Sequence, residues 1–501
     1  RGKNTMAASI LSQELLDILP YTFLKKHCLL PIEESSEAIT IAHATATSVI
    51  AQDEVKLLIK KPVRFVLKEE SEILQRLQQL YSNREGNVSD MLLTMKEEDG
   101  TTISEEEDLL ETTDTIPVVR LLNWILKEAI EERASDIHFE PCEDSMRIRY
   151  RIDGVLHDRH SPPSHLRSAL TTRLKVLAKM DIAEHRLPQD GRIKIHIGGQ
   201  EVDMRVSTVP VIYGERVVLR ILDKRNVILD IAGLHMPKGT EILFKDTITA
   251  PEGILLVTGP TGSGKTTTLY SVLQELKGPL TNIMTIEDPP EYKLPGIAQI
   301  AVKPKIGLTF ARGLRHLLRQ DPDILMVGEI RDQETAEIAI QAALTGHLVV
   351  STLHTNDAIS AIPRLLDMGI ESYLLSATLV GVVAQRLVRT ICPYCKVAYT
   401  PENQEKSFLA SLGKDTEMPL YRGQGCVHCF RSGYKGRQGI YEFLRPNTLF
   451  RSEVASNRPY HILRETAEQN GFLPILEHGI ALAVSGETTL AEVLRVTKRC
   501  D

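Results

Sequence analysis

The sequence predicts an α/β protein with a parallel sheet around a glycine-rich loop, preceded by an α+β domain and a small N-terminal domain. Three observations lead to this prediction. The pattern G-x-x-x-x-G-K-[ST] occurs as "GPTGSGKT" (259–266), between an apolar strand and a helical stretch. From about residue 235 to the end, strands alternate with helices, which favours a parallel sheet. Earlier in the chain, apolar and arginine residues alternate, as in "MRIRYRI", which is typical of a half-buried strand.

Length and composition predict a soluble chain of several domains. The 501 residues suggest about three domains, since single cores rarely grow past roughly 250 to 300 residues. No apolar run approaches the roughly 20 residues of a membrane span, and the N-terminus lacks the basic and then apolar layout of a secretory signal. We therefore expect a cytoplasmic protein. The net charge of −7 gives no overall basic footprint, so we expect no nucleic-acid partner.

The chain before residue 115 is predicted to form a small domain and a linker. Residues 1–80 mix amphipathic helices with short strands, and they contain the amphipathic stretch "LPYTFLKKHCLLP" but no catalytic motif, so we predict a docking domain. Residues 81–114 carry nine carboxylates between Glu97 and Asp114, which predicts a flexible, self-repelling linker. An acidic docking segment is the less favoured alternative, because charge runs are usually solvated.

Residues 115–230 are predicted to form an arginine-rich α+β domain. A helix over 118–134 precedes the alternating stretch "SMRIRYRIDGVLHD", and the runs "RIKIHI", "EVDMRVSTVPV" and "GERVVLRIL" extend an antiparallel sheet to about residue 222. Residues 235–501 then form the α/β domain that contains the glycine-rich loop.

The glycine-rich loop is predicted to bind the phosphates of a nucleotide. Glycines let backbone N–H groups converge on phosphate oxygens, and the helix that follows adds its positive N-terminal end. Lys265 is expected to reach the β- and γ-phosphates, and the Thr266 hydroxyl to bind Mg²⁺. The residues predicted to surround the nucleotide are Gly259, Pro260, Thr261, Gly262, Ser263, Gly264, Lys265, Thr266 and Thr267.

Four predicted strands deliver polar residues where they end. The strands are 254–258, 282–286, 324–327 and 348–353, and the residues that follow them are the loop, the acidic turn 287–291, Gly328-Glu329 and His354. Because ligands of open α/β sheets bind at the carboxyl ends of the strands, we expect these residues to share one edge.

The acidic residues and the histidine at this edge are the candidate catalytic groups. Glu329 fits the acid beside Mg²⁺ in a nucleotide hydrolase. Glu287 is favoured to polarise the attacking water, with Glu329 and Glu291 as alternatives. His354 is expected to sense the γ-phosphate, whereas His347 lies at the opposite end of the same strand and is less favoured for a functional role.

Four of the seven cysteines form two C-x₂-C pairs with 30 residues between them. They are Cys392, Cys395, Cys426 and Cys429. Such pairs can close a tetrahedral thiolate site for Zn²⁺, which would stabilise a finger at 392–429 too small to hold a core of its own. A redox pair and unconnected buried thiols are the less favoured alternatives.

The motifs taken together resemble those of the secretion ATPase superfamily. The segments "GPTGSGKTTT", "TIEDPPEY", "LRHLLRQDPDILMVGEIRDQETAE" and "TGHLVVSTLHTNDA" look like its Walker A, Asp box, Walker B and His box, in the family's order. The paired cysteines are similar to those of the type II secretion ATPases, the general secretory pathway protein E family, and of many pilus assembly ATPases. The segments "ASDIHFEP", "RLPQDGRI" and "GRQGIYE" extend the resemblance over most of the chain.

The resemblance implies a RecA-like ATPase core after a PAS-like second domain, working as a homo-hexamer with ATP, Mg²⁺ and Zn²⁺. It also implies that Arg205 and Arg220 swing onto the γ-phosphate as arginine fingers. The family's N-terminal region engages the cytoplasmic domain of inner-membrane protein L, and polytopic protein F is a further implied contact. These partners would hold the protein peripherally at the inner membrane.

We therefore predict a cytoplasmic ATPase that drives pseudopilus assembly and protein export in type II secretion. The alternative within the superfamily is a type IV pilus assembly or DNA-uptake ATPase. Aromatic residues make up only 5% of the chain and no basic cluster stands out, which disfavours a nucleic-acid translocase. A scaffold that binds nucleotide without turnover is disfavoured because Glu287 and Glu329 are both present.

Overall fold

A computed structural model describes residues 117–222 except 198 and 199, residues 230–497, and shorter stretches between residues 19 and 76, of which 27–34, 38–44 and 61–69 are the longest. The chain divides into two compact units, residues 1–223 and 224–501. The predicted linker 81–114 lies outside the described residues, as do six of the thirteen residues in the stretch "LPYTFLKKHCLLP". The domain boundaries drawn from the sequence stay a prediction.

The described residues near the N-terminus form a three-stranded sheet. Its strands are β1 (Leu29–Glu34), β2 (Ile39–His43) and β3 (Val63–Leu67), in that order, with an antiparallel first pair and a parallel second pair. Leu29, Ile39 and Ile41 are buried in the core that this sheet covers.

Between residues 117 and 222, the described part of the first unit forms a six-stranded antiparallel sheet with two α-helices. Its elements are α1 (Pro117–Glu131), β4 (Asp136–Pro141), β5 (Met146–Ile152), β6 (Val155–His160), α2 (Arg167–Leu177), β7 (Gln189–Ile197), β8 (Gln200–Val211) and β9 (Gly214–Leu222). The strand order is β6-β5-β4-β9-β8-β7. The predicted antiparallel sheet is therefore present, and the predicted helix at 118–134 ends three residues earlier.

Alternation along β5 shows why this sheet has two unlike faces. Met146, Ile148 and Tyr150 are fully buried in a core that includes residues of α1 and α2. The Tyr150 hydroxyl donates to the carbonyl of Ile125 in α1 at 2.9 Å, which satisfies its polar atom inside this core. The arginines between these residues lie on the other face, where Arg149 donates to Glu140 at 2.6 Å.

The second unit contains a seven-stranded sheet with helices on both faces. Its elements are α3 (Lys238–Ile248), β10 (Gly253–Thr258), α4 (Lys265–Leu276), β11 (Ile283–Glu287), β12 (Ala298–Ala301), α5 (Phe310–Leu317), β13 (Ile324–Val327), α6 (Gln333–Leu344), β14 (Leu348–Leu353), α7 (Ala361–Asp367), α8 (Ser372–Thr378), β15 (Leu379–Ile391), β16 (Lys396–Tyr399), α9 (Asn403–Ser411), β17 (Leu420–Gly423), β18 (Tyr434–Leu444), α10 (Thr448–Ala455), α11 (Tyr460–Gln469), α12 (Ile475–Ser485) and α13 (Leu490–Thr497).

The strand order of this sheet is β12-β11-β13-β14-β10-β15-β18, and every pair is parallel except the last. Every residue of β10 is buried, with Ile254 and Leu256 in one apolar core and Leu255 and Val257 in another. A continuous apolar run is what a strand covered on both faces requires. The sequence prediction of a parallel α/β core is confirmed by this topology.

Beyond Ala384, β15 no longer pairs with β10 but continues to pair with β18, and this part of the two strands packs with β17, α9, α12 and α13 in a smaller apolar core. Glu492 of α13 is buried in this region, with its carboxylate bound by Arg389 of β15 at 2.9 Å and by Arg495 at 2.6 Å. Although burial alone would raise the pKa of Glu492, these hydrogen bonds hold it at about 2.

We expect Glu492→Gln to lower the free energy of unfolding by about 3 kcal/mol at pH 7, because a carboxylate whose pKa is lowered from 4.5 to about 2 gains that stability on folding. A depressed pKa stabilises the fold above 4.5 and loses this effect as the pH falls toward 2, so the difference between variant and wild type should shrink over that window. Hydrogen exchange of the backbone amides in residues 379–391 and 490–497, followed as a function of pH, measures this difference in stability. A difference that does not change with pH would contradict the assignment.

Candidate active site

The glycine-rich loop joins the carboxyl end of β10 to the first turn of α4. Gly264 caps this helix in the left-handed conformation, with φ at 89°, and no side chain caps the first N–H groups. The uncapped N–H groups and the helix dipole therefore point toward the loop, as an anion-binding site requires. Thr266 and Thr267 lie half-buried in this first turn.

Lys265 folds back over the loop that precedes it. Its ammonium donates to the carbonyl of Gly259 at 2.7 Å and to that of Pro260 at 3.1 Å. The pKa of Lys265 is lowered to about 8, chiefly by burial; Glu329 opposes the shift and the charge of Arg386 contributes to it. A cation held in this way is ready to exchange weak carbonyl contacts for phosphate oxygens.

Glu329 lies at the end of β13, beside the residues that follow the neighbouring strands. One carboxylate oxygen accepts from Arg331 at 2.5 Å, and the other is 3.7 Å from Nε2 of His354. Half of the His354 side chain is exposed, and burial together with the charge of Lys265 lowers its pKa. The structure therefore brings Lys265, Glu329 and His354 to one edge of the sheet, as the sequence predicts.

Glu287 has different surroundings from Glu329. It is the last residue of β11, it is buried, and it accepts hydrogen bonds from the Tyr270 hydroxyl, from Thr285 at 2.6 Å and from Gln299 at 3.0 Å. These three donors hold the carboxylate in the strand. The role of Glu287 in polarising water stays a prediction. Its buried contacts indicate that it stabilises the start of the acidic turn, whereas Glu291 in the same turn is exposed.

His347 precedes β14, at the end of the sheet away from the loop. Its Nδ1 atom lies 3.0 Å from the carbonyl of Ala342, and its own carbonyl accepts from Gly253 at 3.1 Å. These contacts join helix α6 to the start of β10, which fits a structural histidine.

Two residues that the sequence analysis did not select also hold the loop in place. The Gln385 side chain of β15 donates to the Ser263 carbonyl at 2.7 Å and accepts from the Thr268 hydroxyl at 2.7 Å. Thr355, next to His354, lies with its hydroxyl 2.6 Å from that of Thr258. A glutamine inside the apolar run "LVGVVAQRLV" is the sequence signal for the first of these contacts.

Arg205 and Arg220 belong to the first unit, where they are register partners on β8 and β9. Arg220 is 61% exposed and pairs with Asp136 at 3.0 Å. Asp136 lies directly opposite Arg220 on the neighbouring strand β4. Its carboxylate accepts from Nε of Arg220, while most of the arginine side chain is exposed. The structure places both residues on adjacent strands, and their role as arginine fingers stays a prediction.

The four cysteines predicted to bind zinc lie together in the second unit. Their sulfur atoms are all within 4.8 Å of one another, and three of the separations are 3.8, 3.8 and 3.7 Å. A tetrahedron with zinc–sulfur bonds of about 2.3 Å has edges of about 3.8 Å, so the donor set fits this ion. Backbone N–H groups of Cys426 and Gly433 point at the Cys429 sulfur, as thiolate ligands require.

Comparison with known protein families shows which family this site belongs to. The family model described as "Type II/IV secretion system protein" matches residues 111–495, and a second model, described as "MshEN domain", matches residues 8–87. The chain belongs to the type II/IV secretion system protein family. The family predicted from the four motifs is thereby confirmed.

Relatives match the chain over most of its length. The "Type II secretion system ATPase E" of Vibrio cholerae is 44% identical, and the match covers 98% of this chain and 99% of the relative. The "Type II secretion system protein E" of Pseudomonas aeruginosa is 52% identical over 79% of this chain and 78% of the relative. The "Type IV pilus assembly ATPase PilB" of Myxococcus xanthus is 43% identical over 96% of this chain and 86% of the relative.

Solved structures give the same fold. The pilus retraction motor PilT with bound ADP has a TM-score of 0.51 at 27% identity, and the match covers 75% of this chain and 96% of that one. The Legionella pneumophila ATPase DotB has a TM-score of 0.55 at 21% identity over 78% and 99% of the two chains, and this likeness shows the fold alone. These structures confirm the prediction of a RecA-like core, and the relatives named above confirm that of a type II secretion ATPase.

The three carboxylates of the sheet edge can be separated by substitution. We expect Glu329→Gln to bind ATP normally and to lower kcat by on the order of 10²-fold or more, because it removes the acid beside Lys265. For Glu287→Gln, the buried contacts predict a lower melting temperature with a smaller loss of kcat, and Glu291→Gln should then show the larger kinetic loss. Steady-state ATPase assays and thermal melts provide the two readouts.

Glu468→Gln is the matched control, since Glu468 is an exposed residue of α11. A Glu287→Gln variant with wild-type stability and a kcat as low as that of Glu329→Gln would show that Glu287 polarises the water.

Proposed function

We propose that this protein is a homo-hexameric ATPase that powers pseudopilus assembly and protein export in type II secretion. The observation that carries the proposal is the meeting of Lys265, Glu329 and His354 at the carboxyl edge of four parallel strands. The near full-length similarity to the Vibrio cholerae "Type II secretion system ATPase E" supports the biological setting.

In the proposed reaction, the loop residues 259–267 bind the phosphates of ATP through backbone N–H groups at the start of α4. Lys265 binds the β- and γ-phosphates, and Thr266 and Glu329 would hold Mg²⁺ directly or through water. When bound, Mg²⁺ neutralises charge on the phosphates. His354 lies where it can detect the γ-phosphate, because it approaches Glu329 from the neighbouring strand.

Two further tasks in hydrolysis fall to residues outside the phosphate loop. A carboxylate of the acidic turn orients the attacking water. Glu291 is favoured because its side chain is exposed, and Glu287 is favoured because it begins the acidic turn at the end of its strand. Arg205 and Arg220 act as arginine fingers that stabilise negative charge in the transition state. Their position on adjacent strands supports this role, because two guanidinium groups on one rigid sheet can be delivered together.

The remaining parts of the proposal concern location and partners. We propose that residues 1–80 dock onto the cytoplasmic domain of inner-membrane protein L, with polytopic protein F as a second contact, so that the protein works peripherally at the inner membrane. No helix within the described residues has the length and apolar character needed to cross a bilayer. Residues 81–114 would let the docked domain stay fixed while the ATPase domain moves.

We also propose that the cysteine cluster binds one structural Zn²⁺. Because the cluster ties the ends of β15 and β18 together, the metal would hold the smaller apolar core in place. Protein purified without chelator is expected to contain about one zinc per chain by metal analysis, and Cys392→Ser is expected to lower both zinc content and melting temperature. Cys142→Ser, outside the cluster, is the control. Freshly reduced protein without zinc would contradict the proposal.

The function is tested by complementation in a strain that lacks its own copy of the ATPase. We expect Lys265→Ala to abolish hydrolysis and secretion, since no other residue of the loop carries a positive charge to the phosphates. Deletion of residues 1–100 should leave ATP binding intact while removing membrane recruitment and secretion. If the truncated protein still fractionates with inner membranes at normal levels, the docking surface lies elsewhere in the chain.

A further inference from the structure

Strand β15 passes directly beside the phosphate loop, and two consecutive residues of this strand lie close to it. Gln385 is buried, with 2% of its surface exposed, and its amide spans the loop from the Ser263 carbonyl to the Thr268 hydroxyl. A planar amide with one donor and one acceptor can satisfy both contacts at once. The Gln385 side chain therefore ties the loop at Ser263 to the first turn of the helix that follows it.

Arg386, the next residue, connects the loop to a different segment. Its Nη1 atom donates to the Gln385 carbonyl at 3.0 Å, and its Nη2 atom donates to the Asn356 carbonyl at 2.6 Å. Asn356 lies two residues after His354, in the segment that leaves strand β14. One guanidinium thus joins the strand that clamps the loop to the segment that carries His354.

The packing around Gly259 shows how close this contact is to the loop. A Cβ atom on Gly259, whose φ is 147°, would lie 2.5 Å from the Gln385 carbonyl oxygen and 3.2 Å from Nη1 of Arg386. No side chain fits between the first residue of the loop and this pair. A shift of Arg386 is therefore felt at the loop and at the segment after His354 together.

A buried carboxylate fixes the same segment from the other side. Glu442 of β18 accepts from the Ala358 backbone N–H at 2.6 Å and from the Ile475 N–H at 2.8 Å. The segment after His354 is then held at Asn356 by Arg386 and at Ala358 by Glu442. Burial lowers the pKa of Arg386, and the nearby carboxyl groups of Glu442 and Asp357 oppose this shift.

We propose that Arg386 is a positioning residue of the ATPase site, which sets the place of His354 relative to the phosphate loop through its two carbonyl contacts. The inference rests on the proposed ATPase function and adds a residue that acts through His354 rather than on the nucleotide. A guanidinium suits this task because its fork of donors can bond two carbonyls in fixed directions, which an ammonium cannot do in the same geometry.

The test compares Arg386→Gln and Arg386→Lys with the wild-type full-length protein. We expect Arg386→Gln to lower kcat about tenfold while the Kd for MgAMP-PNP, measured by calorimetry, stays within about threefold, because a positioning residue changes the transition state more than ground-state binding. Arg386→Lys should recover part of the lost kcat. Arg437→Gln, on the exposed far part of β18, is the matched control for loss of one positive charge.

A double-mutant cycle identifies the residue through which Arg386 acts. In a His354→Ala background, Arg386→Gln should cost no more than about twofold in kcat, since residues that work as a unit have non-additive effects. If His354→Ala is too slow to assay, His354→Asn supplies the background. Melting temperatures within a few degrees of that of the control show that the variants are folded. If Arg386→Gln does not fold, the same comparison is made with Arg386→Lys.

Three results would overturn the inference: kinetics of Arg386→Gln equal to the wild type, a rise in Kd with kcat unchanged, or effects of Arg386→Gln and His354→Ala that multiply. A wild-type protein without ATPase activity, or a Lys265→Ala variant that keeps it, would instead overturn the proposed function. Failure of the inference is thus seen in the Arg386 variants, whereas failure of the proposed function is seen in the wild type or in Lys265→Ala.

Discussion

The parallel pairing of β11, β13, β14 and β10 is the constraint on which the rest of the site depends. Their registers align Ile286 with Val327, Val327 with Ser351, and Ser351 with Leu256, so the four strands end within two residues of one another. The hydroxyl groups near these ends are buried but satisfied, since Ser351 and Thr352 donate to carbonyls of the neighbouring strand segment at 2.7 Å. Polar residues can therefore approach the edge without weakening the core, and the loop, Glu329 and His354 meet there as a result.

The sequence was most informative where one local pattern decides the structure. The strands 324–327 and 348–353 have the predicted ends, because each is a buried and mostly aliphatic run that stops at Gly328 or His354. The strand predicted at 282–286 instead runs from Ile283 to Glu287. A carboxylate can continue a buried strand here because Tyr270 and Gln299, which are distant in sequence from the strand, donate to it. Such partners leave no periodic signal, and Gln385 was missed for the same reason.

The antiparallel sheet of the first unit solves a related problem with charge. One face packs on α1 and α2, and the other carries many arginines that would repel one another. Glu140 accepts from Arg149 and from Arg216, each at 2.6 Å, and Asp136 binds Arg220 at 3.0 Å. A few carboxylates on the central strand β4 therefore hold the guanidinium groups in defined places. The alternation of arginines predicted the exposed face, but the pairing that orders it depends on strand order.

Strand β15 has a mechanical consequence for the chain as a whole. It begins inside the main sheet next to β10, presents Gln385 to the loop, and reaches the first cysteine of the cluster one residue after its end at Ile391. Gln385 and Cys392 are seven residue steps apart, which corresponds to about 23 Å of extended chain. Antiparallel pairing with β18 makes this segment a rigid two-stranded ribbon. The cysteine finger is thus not a loose appendage: its position in space is dictated by the same strand that grips the nucleotide loop.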